Sequence, residues 1–202
     1  MAAVKMIMAQ EGISVKFHQL DIGEKSSLQT FSHFIKTQYG KIDLLVNNAA
    51  IAFKRNSTES IGHQAELTIK TNFFALKNVC DILFPLLSDG ARVVNISSSC
   101  GHLSKLLGGG GNTAKAAELA TKFASSDTSL TIQELTNLMN DYVAHAKAGT
   151  HTENGWPNST YVMSKIGVSA LSRIQQRNFD EMPNADRVVN HCLLYTSPSP
   201  RD

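Results

Sequence analysis

Tyr161 and Lys165 stand four residues apart in a run, Asn158 to Arg177, whose pattern predicts a helix. Residues at that spacing lie one turn apart on one face, so the pair should present a phenol and an ammonium side by side. An adjacent ammonium favours the phenolate, which suits Tyr161 to give and accept a proton near neutral pH. A Tyr-x-x-x-Lys pair also arises by chance, so its weight comes from the polar residues upstream. Asp21, Asn47, Asn48 and the run Ser97-Ser98-Ser99 each follow a stretch that reads as a strand. Asp21 has a second reading as the cap of the following helix, and the three serines a second reading as a turn.

The elements that must position these groups alternate along the chain. Residues 1–11 read as the end of a helix stopped by Gly12. Ile13 to Leu20 alternates apolar and polar residues and predicts a strand. Lys25 to Tyr39 carries Leu28, Phe31, Phe34 and Ile35 at helical spacing, with Gly40 as its stop. Ile42 to Asn47 is a short apolar run of the kind found in buried parallel strands. Ile61 to Leu87 predicts one long helix ended by Gly90, and Arg92 to Ser97 another buried strand. Strands alternating with helices imply an α/β, doubly wound parallel sheet, which binds ligands at the carboxyl ends of its strands.

Residues 102–157 interrupt this alternation and predict a helical insertion. Gly108 to Gly111 reads as a joint, since a phosphate cradle needs a strand before it and a helix opening with Lys-Ser or Lys-Thr after it. Asn112 to Phe123 predicts a helix. Thr131-Ile-Gln-Glu134 is a capping-box pattern that opens another. The stripe Ile132, Leu135, Leu138, Met139, Tyr142 and Val143 on that helix is expected to pack on the main body, and Gly149 to close it. Asp186 to Asn190 predicts a further strand.

Composition narrows the function classes. Among 202 residues, 42% are hydrophobic and 18% charged, with a net charge of +2, so nothing points to nucleic acid or an anionic membrane. No apolar run reaches the roughly 18 residues of a membrane span, and the first ten residues are too polar for a signal peptide. Cys80, Cys100 and Cys192 lack metal or redox spacing, which fits reduced thiols in a cytoplasmic protein. No metal site is expected, and a monomer is.

In this order the pieces resemble the short-chain dehydrogenase/reductase family. They are Asp21 after its strand, Asn47-Asn48-Ala49, Asn72 in Lys-Thr-Asn-Phe-Phe, Asn95-Ile-Ser-Ser98, and Tyr161-x-x-x-Lys165. The long insertion ending in Gly155-Trp-Pro, together with Phe17-His-Gln-Leu-Asp21-Ile and Ala49-Ala-Ile-Ala-Phe-Lys54, is similar to the carbonyl reductase subgroup. The resemblance covers roughly residues 3–191 and implies a Rossmann-like fold and reduction of ketones, aldehydes or quinones by NADPH. It implies Tyr161 as proton donor, Ser98 as holder of the carbonyl oxygen, Lys165 as partner of Tyr161 and of the nicotinamide ribose, and Asn72 as anchor of a water that feeds Lys165. Asp21 and Ile22 are expected to flank the adenine and Asn48 to line the cofactor cleft. Phe53, Lys54, Arg55 and Gln64 are expected near the substrate entrance, where some relatives accept glutathione conjugates; Lys54 and Arg55 also read as a solvated loop.

The family's glycine-rich pyrophosphate turn is not found, and Ala50 stands where glycine is usual. The expectation is therefore a partial domain over 1–192, missing its first strands, with the insertion at 102–157. A non-native-looking tail, disordered or an artefact, is expected over 193–202. Such a fragment is expected to leave an unpaired sheet edge and to fold poorly alone, which makes an inactive or merely binding remnant the alternative to a reductase.

Overall fold

The computed structural model describes residues 2–54, 56–108, 113–124, 130–182 and 188–192. The tail from 193, Arg55 and Gly109 to Gly111 lie outside the described residues. A three-stranded parallel sheet in the order β1-β2-β3 forms its centre, with β1 at Ile42–Asn47, β2 at Leu87–Ile96 and β3 at Val188–Cys192. Leu45 pairs with Val93 across β1 and β2, and Val93 with Val189 across β2 and β3. The α/β parallel architecture expected from the alternating pattern is present.

Before the sheet come α1 (Ala2–Glu11) and α2 (Lys25–Gln38). Between β1 and β2 run α3 (Ile61–Ile69), a π-helical segment (Lys70–Ala75) and α4 (Leu76–Leu83). Asn47 Nδ2 donates to Asn95 Oδ1 on β2 and approaches Cys80 Sγ on α4 at 3.5 Å. Leu28 of α2 packs with Val79 and Leu83 of α4 on the same side. Leu44 and Val46 of β1, which alternate to the opposite face, stand 59% and 49% exposed.

Two expectations are corrected. Residues 13–20 form no strand; Ile13 and Phe17 are more than half exposed. An extended run becomes a strand only when a neighbour takes up its backbone groups, and the described strands pair only with one another. The segment is held instead by side chains, with His18 against the rings of Phe31 and Phe34 at 5.3 and 4.5 Å. The single helix over 61–87 is broken by the π-helical segment and ends in a 3-10 turn at Phe84–Leu86. Strand β2 then starts at Leu87, so Gly90 (φ 75°) lies within the strand rather than ending a helix.

The insertion is helical, as its pattern indicates: α5 (Ser104–Leu107), α6 (Thr113–Ala124) and α7 (Ile132–Ala148). Thr131 Oγ1 accepts from the Glu134 N–H while Glu134 accepts from the Thr131 N–H, a closed capping box, and Gly149 ends α7 in the left-handed region. Leu135, Met139 and Tyr142 are fully buried, and Ile132, Leu138 and Val143 pack against the same cluster. The stripe thus faces the main body. It meets α8 (Thr160–Asp180) at Gly167, where an added Cβ would lie 2.7 Å from Met139 Cε and 3.1 Å from the Phe73 ring. Trp156 closes the same core against Tyr142, with ring centres 5.8 Å apart. Among the described residues no helix is long and apolar enough to cross a membrane.

This packing makes the insertion a load on the main core rather than an appendage. Leu135→Ala should lower stability by about 2–5 kcal/mol, and Thr131→Ala, which removes only the cap, by about 1 kcal/mol. Denaturant melts of the two variants check the order, and equal losses would contradict it.

Candidate active site

Helix α8 starts at Ser159, whose hydroxyl accepts from the Val162 N–H at 3.3 Å. From there Tyr161 and Lys165 follow one turn apart. The Lys165 Nζ lies 5.6 Å from the centre of the Tyr161 ring, within the range of a cation–π contact. The same Nζ donates to the carbonyl of Ile96, the last residue of β2, at 2.6 Å. Lys165 is only 3% exposed. Burial disfavours its charged form and pushes its pKa below the ordinary lysine value.

Ser98 follows two residues after Ile96 and is 8% exposed. It caps a 3-10 turn over Ser99–Gly101, its hydroxyl oxygen accepting from the Cys100 N–H at 3.2 Å. Both readings of the serine run hold together here, because Ser98 is a turn residue at a strand end. Since its oxygen accepts from the backbone, its own proton remains for another acceptor. The turn is pressed onto α8 at Lys165. Ser97 Oγ donates to the Lys165 carbonyl at 3.1 Å and meets Ser169 Oγ at 2.8 Å. A Cβ on Gly101 would lie 2.7 to 2.9 Å from Ser97 Oγ, the Lys165 carbonyl oxygen and Ser169 Oγ. Lys165 thus ties α8 to the end of β2, with Tyr161 one turn earlier on the helix and Ser98 two residues past Ile96 along the chain.

Asn72 sits in the π-helical segment and is 2% exposed. Wide turns of this kind often mark functional positions. Its Oδ1 accepts from the Ile51 N–H at 2.8 Å, and its Nδ2 donates to the Ile51 carbonyl at 2.9 Å and to Ser164 Oγ at 3.1 Å. Ser164 in turn donates to the Tyr161 carbonyl at 2.8 Å. The side chain therefore straps the loop after β1 to the turn of α8 that carries Tyr161. Sequence reasoning missed Ser164 and Ser169; their spacing from Lys165 along one helix was the available signal.

Ile22 and Asn48 line one cavity of about 240 Å³ beside the carboxyl end of β1, with Leu20, Phe31, Leu45 and Ala49. Asp21 faces elsewhere. It is exposed in a turn, its Oδ1 accepting from the Gly23 N–H at 2.9 Å, and it borders a separate groove with His18 and Ser27. Its placement at a strand end is corrected with the loss of that strand, and its carboxylate shapes the entry to α2, whose N-cap is Glu24. Phe53 packs edge-on against His63 at 6.4 Å, and Gln64 Nε2 donates to the Glu59 carbonyl at 2.8 Å, so both cluster at the start of α3. Lys54 is exposed, and Arg55 lies outside the described residues.

The model of the short chain dehydrogenase family matches residues 1–127. Carbonyl reductase (NADPH) 1 of Bos taurus is 43% identical over 194 residues, covering 95% of this chain and 66% of that protein. Carbonyl reductase (NADPH) 3 of Homo sapiens is 43% identical over 192 residues, with coverage of 95% and 66%. The solved structure of salutaridine reductase from Papaver somniferum aligns with a TM-score of 0.77 at 26% identity, over 94% of this chain and 72% of that one. The chain spans 63% to 66% of the length of the first curated relatives it matches.

The burial of Lys165 sets a pH dependence. The unfolded chain holds this proton more tightly than the folded one, so stability should rise with pH from the depressed folded value up to the ordinary ~10.4. Lys165→Met should flatten that rise, and parallel stability curves for the two chains would contradict the assignment. Gly101→Ala should cost about 1–3 kcal/mol by overpacking the turn against the α8 backbone, which thermal melts can check; an unchanged melt would show that the turn gives way freely.

Proposed function

The chain belongs to the short chain dehydrogenase family, and from that premise we propose that it reduces ketone, aldehyde or quinone carbonyls with NADPH. The observation that carries this reading is one cation shared by two groups. Lys165 Nζ donates to the Ile96 carbonyl at 2.6 Å while lying 5.6 Å from the Tyr161 ring centre. NADPH, when bound, supplies the hydride that the carbonyl carbon accepts.

The residues present suit that cofactor. A lysine ammonium has three N–H donors, and Ile96 accepts from one, so others remain for ribose hydroxyls. Ile22 and Asn48 in their mostly apolar cavity suit the adenine side of the cleft. The curated relatives matched along 95% of the chain carry NADPH in their names, which favours that cofactor over NADH.

As negative charge develops on the substrate oxygen, the Tyr161 phenol donates its proton to it. The Ser98 hydroxyl donates a hydrogen bond to the same oxygen, and that bond strengthens as the charge grows. Ser98 is prepared for this because its oxygen already accepts from the Cys100 N–H. Lys165 steadies the phenolate left behind. Asn72 keeps the loop from Asn48 to Ile51 in place through its paired bonds to Ile51, and it anchors a water that feeds a proton to Lys165. Phe53, packed on His63 at the start of α3, and Gln64 flank the way in, with the exposed Lys54 next to Phe53.

Titration of the purified chain with NADPH, followed by turnover with a quinone or an aldehyde, tests the reading. Tyr161→Phe should cut kcat by about 100-fold or more with NADPH affinity nearly unchanged. A parent chain that neither binds nor oxidises NADPH would overturn the reductase reading, and retained turnover in Tyr161→Phe would overturn the role of the phenol.

A further inference from the structure

Below the site, the contact between α8 and the sheet carries a buried polar cluster before it turns apolar where Phe179 packs on Val93. Asn95 on β2 is fully buried, and its amide joins three elements. Its Nδ2 donates to Ser172 Oγ at 2.8 Å and to Gln175 Oε1 at 3.0 Å, both on α8. Its Oδ1 accepts from Asn47 Nδ2 on β1 at 2.8 Å. Ser172 donates its own proton to the Val168 carbonyl at 2.9 Å, so toward Asn95 it can only accept, and this fixes which way the Asn95 amide points. Cys80, beneath Asn47 and Gln175, is buried, and desolvation pushes its pKa up to about 12, so it stays a neutral thiol in this network.

The hydrophobic effect is non-directional, whereas a hydrogen bond fixes both its partner and its direction. One amide bonded to two residues three apart on a helix specifies that helix's rotation and height. Ser172 lies seven residues beyond Lys165 and eleven beyond Tyr161. These separations are about two and three turns, or roughly 10 and 16 Å along the axis, so all three share a face. The upper end of the seam is polar too, through Ser97 to Ser169 and to the Lys165 carbonyl.

We propose that Asn95 is a positioning residue: its bonds to Ser172 and Gln175 set the register of α8 on the sheet and so hold Lys165 at the end of β2, under Tyr161. The inference rests on the proposed reductase reading for its catalytic consequence, but the placement of Lys165 can be read without any turnover. Leucine at this position keeps the branching of asparagine, with methyls in place of the amide oxygen and nitrogen, yet cannot bond to Ser172, Gln175 or Asn47.

The test uses the full chain with Asn95→Leu and, separately, the milder Ser172→Ala. The titration of Lys165 is followed by NMR of its side chain, assigned by its loss in Lys165→Met, and thermal melts show that each variant is folded. The expected result is a folded Asn95→Leu chain in which the Lys165 titration moves up toward the ordinary lysine range, with a smaller move in the same direction in Ser172→Ala. In the reductase assay, kcat should fall by about 30-fold or more, as expected for a misplaced catalytic group, while KM for the carbonyl substrate stays within about threefold. An unmoved Lys165 signal in a folded variant overturns the proposal. So does a loss confined to stability, with the kcat of the folded fraction unchanged, or the unfolding of both variants, which would make Asn95 a residue of the fold alone. If the parent chain shows no turnover, the reductase reading fails by itself and the Lys165 signal still decides the role of Asn95.

Discussion

A lysine buried to 3% exposure needs an acceptor, and the Ile96 carbonyl is the one the fold provides. An uncompensated buried charge is costly, so α8 is stable only where Lys165 reaches the end of β2. Tyr161 lies one turn earlier on the same helix, its ring centre 5.6 Å from the Lys165 ammonium, and Ser98 follows two residues past Ile96. The proposed chemistry depends on this one bond being made by the main chain of the sheet rather than by a mobile side chain.

Several irregular features serve that contact. The π-helical segment places Asn72 where it bonds Ile51 and Ser164 together, joining the loop after β1 to the turn of α8 bearing the phenol. Gly101 leaves room for the turn after Ser98 to lie against the Lys165 carbonyl. On its outer side α8 is covered by the insertion, and Arg173 and Arg177 donate to the carbonyls of Phe123 and Leu130, each at 2.6 Å. The insertion thus screens the seam from water, in which both the lysine and the amide network would find competing partners.

Much of this was legible in the sequence. Alternating strand and helix patterns located β1, α2, α7 and α8. The apolar stripes of α7 and α8 are buried, but β1, whose apolar run suggested a strand covered on both faces, leaves Leu44 and Val46 exposed, and of α2 only Leu28 is fully covered. Tyr161 and Lys165 were legible because four-residue spacing on a helix has a single geometric meaning. The run 13–20 misled because alternation describes a strand's faces but not its partners, and the described strands pair only among themselves. The π-helical segment was hidden because one wider turn leaves the apolar spacing of a long helix nearly unchanged. Asp21 was legible as a polar residue at a junction, but its carboxylate is committed to Gly23 rather than turned into the cavity of Ile22 and Asn48. Asn95 was seen only as part of a motif, because nothing in a Val-Val-Asn-Ile-Ser run says that the amide faces a helix.

The central claim is that Tyr161 and Lys165 act as one unit fixed to the end of β2. A kinetic cycle over Tyr161→Phe, Lys165→Met and the double variant, measured as kcat/KM for a quinone with NADPH, tests it most directly. Residues that work as a unit are strongly non-additive, so the double variant should be no slower than the worse single variant by more than about threefold. Losses that multiply across the cycle would show two independent contributions and contradict the account.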